Sequence, residues 1–148
     1  MEIEYKKLLD QDVNEFIQLI RVFEEVFEMQ QFLMPDRNHL AQVLAKNDFL
    51  VFVAMQERTV IAGLTVYVLH QYYNSKPLAY IYDLAVLPQF QRQGIGSRLI
   101  SETKLYCTQQ GFEEVFVQAD KADGYALDFY RATRPSNEEQ VVHFYYTL

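Results

Sequence analysis

A chain of 148 residues, half of them hydrophobic, is the size of one globular domain and long enough to bury a core of its own. Its 20 acidic residues against 13 basic ones give a formal charge of −7, with lysine and arginine scattered along the chain; this excludes a basic nucleic-acid surface and suits cationic small molecules. The single cysteine, Cys107, excludes an intramolecular disulfide and a cysteine-only metal site, and it fits a reducing, cytoplasmic compartment.

The opening Met1-Glu2-Ile3-Glu4 lacks the basic-then-apolar plan of a signal peptide. Ile3 to Leu8 is expected to be a short strand. Val13, Phe16, Ile17, Ile20, Phe23 and Phe27 then recur at helical spacing and predict an amphipathic helix. The pattern breaks around Pro35, and Asp36 is placed to cap a second helix with apolar positions Leu40, Val43 and Leu44. Phe49 to Met55 and Val60 to Leu69 are β-branched and aromatic runs around Gln56-Glu57-Arg58-Thr59, the pattern of an antiparallel hairpin. The first of these runs is far too short to cross a bilayer. A third strand is expected from Leu78 to Leu87, ended by Pro88, and a helix from the Gly94-Ile95-Gly96 loop to about Gln110, closed by Gly111. Val115 to Ala119 predicts a strand, Tyr125 to Ala132 a short helix and Val141 to Thr147 a final aromatic-rich strand. The order is that of a mixed α/β layer fold with one crossover helix, in a single domain over residues 1–148.

The stretch from Tyr80 to Ser97 carries the chemistry. A strand, a loop with glycines two apart and a helix starting there place a row of backbone N–H groups at a helix N-terminus, where the dipole also favours an anion. Side chains at Gly94 or Gly96 would hold a pyrophosphate away from those amides. A Walker loop would need Gly-Lys-Ser/Thr at its end, and a Rossmann fingerprint a small residue in place of Leu99.

Tyr82-Asp83-Leu84-Ala85-Val86-Leu87-Pro88, followed by Gln91, Gly94 and Gly96, resembles the GNAT superfamily signature, Gln/Arg-x-x-Gly-x-Gly/Ala after an apolar-Ala-Val-x-Pro-like strand end. The element order along nearly the whole chain is similar to that family's as well. The resemblance implies the GNAT acyl-CoA N-acyltransferase fold, an α/β (α+β) arrangement with a central, mostly antiparallel sheet and helices on both faces. It implies acetyl-CoA as cosubstrate, with Gln91, Arg92, Gln93, Gly94, Ile95, Gly96 and Ser97 around the pyrophosphate. Leu84, Ala85 and Val86 would pair through their backbone with the pantetheine arm, at a bulge that frees an N–H to polarise the thioester carbonyl. Ala126-Leu127-Asp128-Phe129-Tyr130 resembles the family's helix near the sulfur, which implies Phe129 beside the coenzyme and Tyr130 as general acid. A phenol with a reference pKa of roughly 10 can protonate a departing thiolate when placed beside it.

Ile81-Tyr82-Asp83, Val117-Gln118-Ala119-Asp120 with Asp123, and Val142-His143-Phe144 are similar to the aminoglycoside 3-N-acetyltransferase branch of that superfamily. The resemblance implies a cationic acceptor held by Asp83, Asp120 and Asp123, with the base being Asp83, His143 or a water; Tyr80 and Tyr82 alternate with Ile81, share one face of the strand and are expected to line the cleft. An alkyl ammonium of pKa near ~10 must lose a proton before attack, and a carboxylate both binds it and accepts that proton. Asp123 stands where many relatives carry Asn, Thr133-Arg134-Pro135-Ser136-Asn137 replaces a Gly-apolar turn, and Tyr145 replaces an acidic residue. Polyamines, protein amines and a coenzyme-binding sensor without turnover are the competing assignments. No metal site is expected, since His39, His70 and His143 lack the paired spacing of a zinc site. A homodimer is expected from the resemblance and from the aromatic Phe144-Tyr145-Tyr146.

Overall fold

The β-branched and aromatic runs form the centre of a five-stranded sheet, ordered β1-β2-β3-β4-β5, in a computed structural model that describes residues 2–148. The chain divides into two compact units, one running to Gln118 and one from Ala119 to Leu148. The first contains β1 (Glu4–Lys7), α1 (Val13–Val26), α2 (Arg37–Leu44), β2 (Phe49–Gln56) and β3 (Thr59–Leu69). It continues with β4 (Leu78–Val86), a 3-10 turn at Pro88–Phe90, α3 (Ile95–Gln109) and β5 (Glu114–Val117). The second contains α4 (Gly124–Ala132). β1 to β4 pair antiparallel, and α3 carries the chain to β5, which lies parallel to β4, giving the mixed sheet expected of the fold.

Glu57 and Arg58, at φ 49° and 68°, make the β2–β3 turn left-handed at both central positions, the backbone that matches strand twist. Residues paired across strands share a face of the sheet. Phe49, Val51 and Val53 with their partners Tyr67, Thr65 and Gly63 therefore face α1 and α2, which bury Phe16, Leu19, Phe23, Leu40 and Leu44 against the sheet. The closest approach is at Gly63, where a Cβ would stand 2.6 Å from Leu19 Cδ1 and 2.7 Å from the Phe52 carbonyl oxygen. On the opposite face α3 buries Leu99 and Cys107, and its Tyr106 meets Phe52 edge-on at 5.7 Å. Burial pushes the Cys107 thiol up to about 11, so it is an inert core group.

Two expectations are corrected. Phe27 lies beyond the end of α1, stacked on Phe23 at 5.6 Å, while Leu19 and Val22 are the buried positions its place in the pattern concealed. The segment from Val141 to Thr147 forms no strand. β propensity describes a side-chain set suited to a half-buried pleat, and it yields a strand only where a neighbouring edge supplies hydrogen bonds. Here Phe144, Tyr145 and Tyr146 are all exposed.

Candidate active site

β4 carries one residue more than β3 opposite it. From Val86 back to Leu84 it pairs with Ala62 to Leu64, and from Ile81 back it pairs with Val66 onward, so Tyr82 and Asp83 together oppose Thr65. This is a β-bulge, and it changes which side chains share a face. Tyr80 pairs with Tyr67 and Ala85 with Gly63, both on the α1 face. A regular strand would send Tyr82 and Asp83 to opposite faces. The extra residue instead puts Tyr80, Tyr82 and Asp83 on one face with Tyr67.

The tyrosines form a continuous aromatic ledge. Tyr67 and Tyr82 meet edge-on at 5.3 Å, Tyr80 and Tyr82 at 5.8 Å, and Tyr80 stacks on Phe116 of β5 at 4.8 Å. Tyr82 is 55% exposed and Tyr67 43%, so the ledge faces outward. Burial raises the Asp83 carboxyl from its ordinary value, and among the described residues none of the first unit's ion pairs involves it. Burial also raises the Tyr67 and Tyr80 hydroxyls, and the charges of Tyr82 and Asp83, on the same face of the sheet, push them the same way. A half-buried carboxylate amid phenol rings is suited to an alkyl ammonium, which it neutralises while the rings offer π faces.

The edge of β4 has a different character. β5 pairs with it only as far as Ile81, opposite Val117, so among the described residues Tyr82 to Val86 have no strand partner on that side. Because Leu87 donates its N–H to the Ile61 carbonyl, ladder alternation turns the backbone groups of Leu84 and Val86 away from β3 and toward this edge. Gln91 Nε2 donates to the Val86 carbonyl at 2.9 Å and ties the following loop to the strand end. The expected bulge thus sits just ahead of Leu84, and the N–H it displaces, that of Asp83, is donated to Thr65 Oγ1 at 3.3 Å. The amides that point outward along this edge are those of Leu84 and Val86.

Past Gln91 the loop turns through Arg92 at φ 62° and Gly94 at φ 80°, the residue preceding α3. Gly94 is required by that left-handed backbone, and a Cβ on it would meet nothing within 4 Å, so the space before the helix is open. No side chain caps this terminus, and the helical ladder begins with Arg98 N–H donating to the Gly94 carbonyl. The amides of Ile95, Gly96 and Ser97 are the unladdered donors of the first turn. Gly96 itself is buried and serves packing, whereas Arg92, Gln93 and Ser97 are exposed. These features fit a pyrophosphate.

In the second unit, Asp120 Oδ1 accepts from the Ala122 N–H at 2.9 Å, closing a turn, and Asp123 Oδ1 accepts from the Ala126 N–H at 3.1 Å, capping α4. Both carboxylates thus have local structural duties, Asp120 in a turn and Asp123 as the N-cap of α4. Phe129 and Tyr130 lie consecutively on α4 with their rings 5.0 Å apart, and the Tyr130 carbonyl accepts from Thr133 Oγ1 at 2.6 Å. His143 is exposed, 5.7 Å from the Tyr145 ring. Sequence reasoning missed Thr65 and Tyr67. Both stand in an unbroken apolar-aromatic run, and only the register of β3 on β4 brings them to Asp83. On the far, β1 edge of the sheet a concavity of about 780 Å³ is lined by Glu2, Glu4, Lys6, Glu15 and Arg58 with no aromatic wall. Among the described residues no group of three or more His, Cys, Asp or Glu side chains is arranged to hold a metal, and no helix is long and apolar enough to cross a membrane.

An amide-lined loop feeding one edge of β4, with a carboxylate and aromatic rings on its face, suits an enzyme that presents a phosphate-bearing carrier to an acceptor. The chain belongs to the acetyltransferase (GNAT) family, which matches residues 14–133, and it is an N-acetyltransferase. It is similar to the crystallised aminoglycoside acetyltransferase meta-AAC0020 from an uncultured soil metagenomic sample. In complex with trehalose that protein is 61% identical, with 99% of this chain and 96% of that chain covered and a TM-score of 0.97. In complex with sisomicin the figures are 60%, 99%, 96% and 0.97. The aminoglycoside N(6′)-acetyltransferase type 1 of Salmonella typhimurium (strain LT2) is 24% identical over 116 residues, 74% of this chain and 80% of its own. That relative is named for the 6′ position, not for the 3-N position of the branch that the short phrases resemble.

Proposed function

We propose that this protein transfers the acetyl group of acetyl-CoA to a primary amine of an aminoglycoside, with Asp83 on its aromatic ledge as the residue that receives the amine. The observation that carries this is the β4 bulge, which sets a half-buried carboxylate among Tyr67, Tyr80 and Tyr82 on the strand whose free edge and following loop suit the coenzyme. Support for the acceptor class comes from the 60% identical relative crystallised with sisomicin.

In this scheme Ile95 to Ser97 donate their amides to the pyrophosphate, and Leu84 and Val86 pair with the pantetheine arm and polarise the thioester carbonyl. The acceptor amine gives up a proton to Asp83, directly or through water, and its nitrogen attacks the carbonyl carbon. The C–S bond breaks, Tyr130, assigned by its resemblance to the family motif, protonates the thiolate, and the second proton of the acylated nitrogen passes through water to the tyrosinate. The transfer is direct, within a ternary complex. Asp120 and Asp123 add negative charge for a polycation while keeping their turn and cap bonds. For the position we favour the 6′ amine, because a 116-residue alignment outweighs three short phrases. We also propose one functional domain, since the family match crosses from one compact unit into the other, a cytoplasmic location and a homodimer.

The test is thiol release from acetyl-CoA with sisomicin, other aminoglycosides, a polyamine and a basic peptide, followed by NMR of the product. Aminoglycoside turnover with the acetyl group at N6′ is expected. Acetylation at N3 would restore the 3-N branch, and turnover with only the polyamine or peptide would discard the aminoglycoside assignment.

A further inference from the structure

We infer that Thr65 is a positioning residue for the acceptor site: its hydroxyl captures the N–H that the β4 bulge takes out of the ladder and so keeps Asp83 on the tyrosine ledge. The inference rests on the reading of Asp83 as the acceptor-binding carboxylate.

Thr65 is 6% exposed, and among the described residues it and Thr103 are the buried polar residues of the core. Thr103 donates to the Leu99 carbonyl one turn earlier in its own helix, an ordinary local bond. The Thr65 hydroxyl instead reaches across 18 residues of sequence, accepting from the Asp83 N–H at 3.3 Å. Its place is set by the bulge. Two residues of β4 face one residue of β3, so backbone carbonyls cannot satisfy every N–H there, and an orphaned buried N–H is costly. A side-chain oxygen at position 65, on the α1 face and opposite the extra residue, removes that cost and makes the bulged register the stable one.

The register decides the chemistry. Continuing the Leu64–Leu84 pairing without a bulge would turn Tyr80 and Tyr82 to the α3 face, whereas continuing the Val66–Ile81 pairing would turn Asp83 there, among Leu64, Val66 and Leu99. The bulge alone keeps the carboxylate and the rings together. Thr65 touches neither reactant in this account and acts through Asp83.

The experiment compares Thr65→Val, which keeps the shape and loses the hydroxyl, with Thr65→Ser, which keeps the hydroxyl, and Thr65→Ala as a second hydroxyl-free variant. Steady-state kinetics with acetyl-CoA and sisomicin are read beside CoA binding by calorimetry. Displacing Asp83 by about an ångström is expected to lower kcat/KM for the aminoglycoside about ten- to a hundredfold in the Val and Ala variants, chiefly through KM. The CoA Kd should stay within about twofold, and Ser should recover most of the loss, whereas a packing defect would reduce both halves of the site together. If Val does not fold, the Ser–Ala pair carries the comparison. Aminoglycoside kcat/KM unchanged in the hydroxyl-free variants, or Ser as impaired as Ala, overturns the inference. Asp83→Asn measured in parallel separates the two failures: a loss there with none at Thr65 rejects only this inference, and no loss at Asp83 rejects the acceptor reading beneath it.

Discussion

In the proposed scheme the two sides of β4 recognise their ligands by different means. Its α1 face is built of side chains, the Asp83 carboxylate and three tyrosine rings, while its free edge and the loop beyond present main chain, the amides of Leu84 and Val86 and those opening α3. A phosphate-bearing carrier can be held by donors that every residue possesses, so the restriction there comes from the left-handed backbone at Arg92 and Gly94. An amine is discriminated by charge and shape, so the other face depends on residue identity and on a register that one bulge sets. Substitutions should therefore separate acceptor use from coenzyme use.

The largest separation is expected from Asp83→Asn, which should lower kcat/KM for an aminoglycoside by about 10²- to 10³-fold, as loss of a general base and ammonium partner would, with the CoA Kd from calorimetry unchanged. The same carboxylate predicts a pH dependence. Asp83 must be ionised to act, and burial raises its pKa, so the acid limb of kcat/KM should lie above the ~3.9 of an exposed aspartate and vanish in the Asn variant. Tyr130→Phe comes next, with kcat expected to fall about a hundredfold and KM little changed, because a general acid acts only as the C–S bond breaks. Gly94→Val tests the other side. A branched side chain at φ 80° is strained by about 1–2 kcal/mol, and acetyl-CoA KM should rise about tenfold with aminoglycoside KM spared. The smallest effect is expected at Asp123. Asn caps as well as Asp, so Asp123→Asn should raise aminoglycoside KM only about two- to fivefold by removing charge. Asp123→Ala should also cost about 1 kcal/mol of stability in thermal unfolding, through loss of the bond to the Ala126 N–H.

Reliance on backbone is also why the strand–loop–helix proposed for the coenzyme was legible in the sequence. Gly94, Gly96 and Gln91 stand in one short stretch, and their spacing reflects a local strand–loop–helix geometry that needs no tertiary contact to be recognised. The hairpin and the four helices were legible because each follows a local period, whereas the mostly antiparallel sheet was implied by the family resemblance. Thr65 and Tyr67 were not, because nothing within β3 tells which of its residues will oppose Asp83 once β4 takes up an extra one. Gly63 was silent too, as its need for a missing side chain is created by Leu19 of α1. The segment from Val141 to Thr147 misled in the opposite sense: its composition suits a strand, but strand formation is decided by a partner edge.

The most direct test is a crystal structure of the protein with CoA and an aminoglycoside bound together. The account predicts the reacting amine within hydrogen-bond reach of Asp83, at about 2.6–3.2 Å or through one water, with Tyr67, Tyr80 and Tyr82 against the sugar rings and the pantetheine arm along Leu84 to Val86. An aminoglycoside seated away from the α1 face of β4, with Asp83 still held by Thr65 and touching no amine, would contradict it.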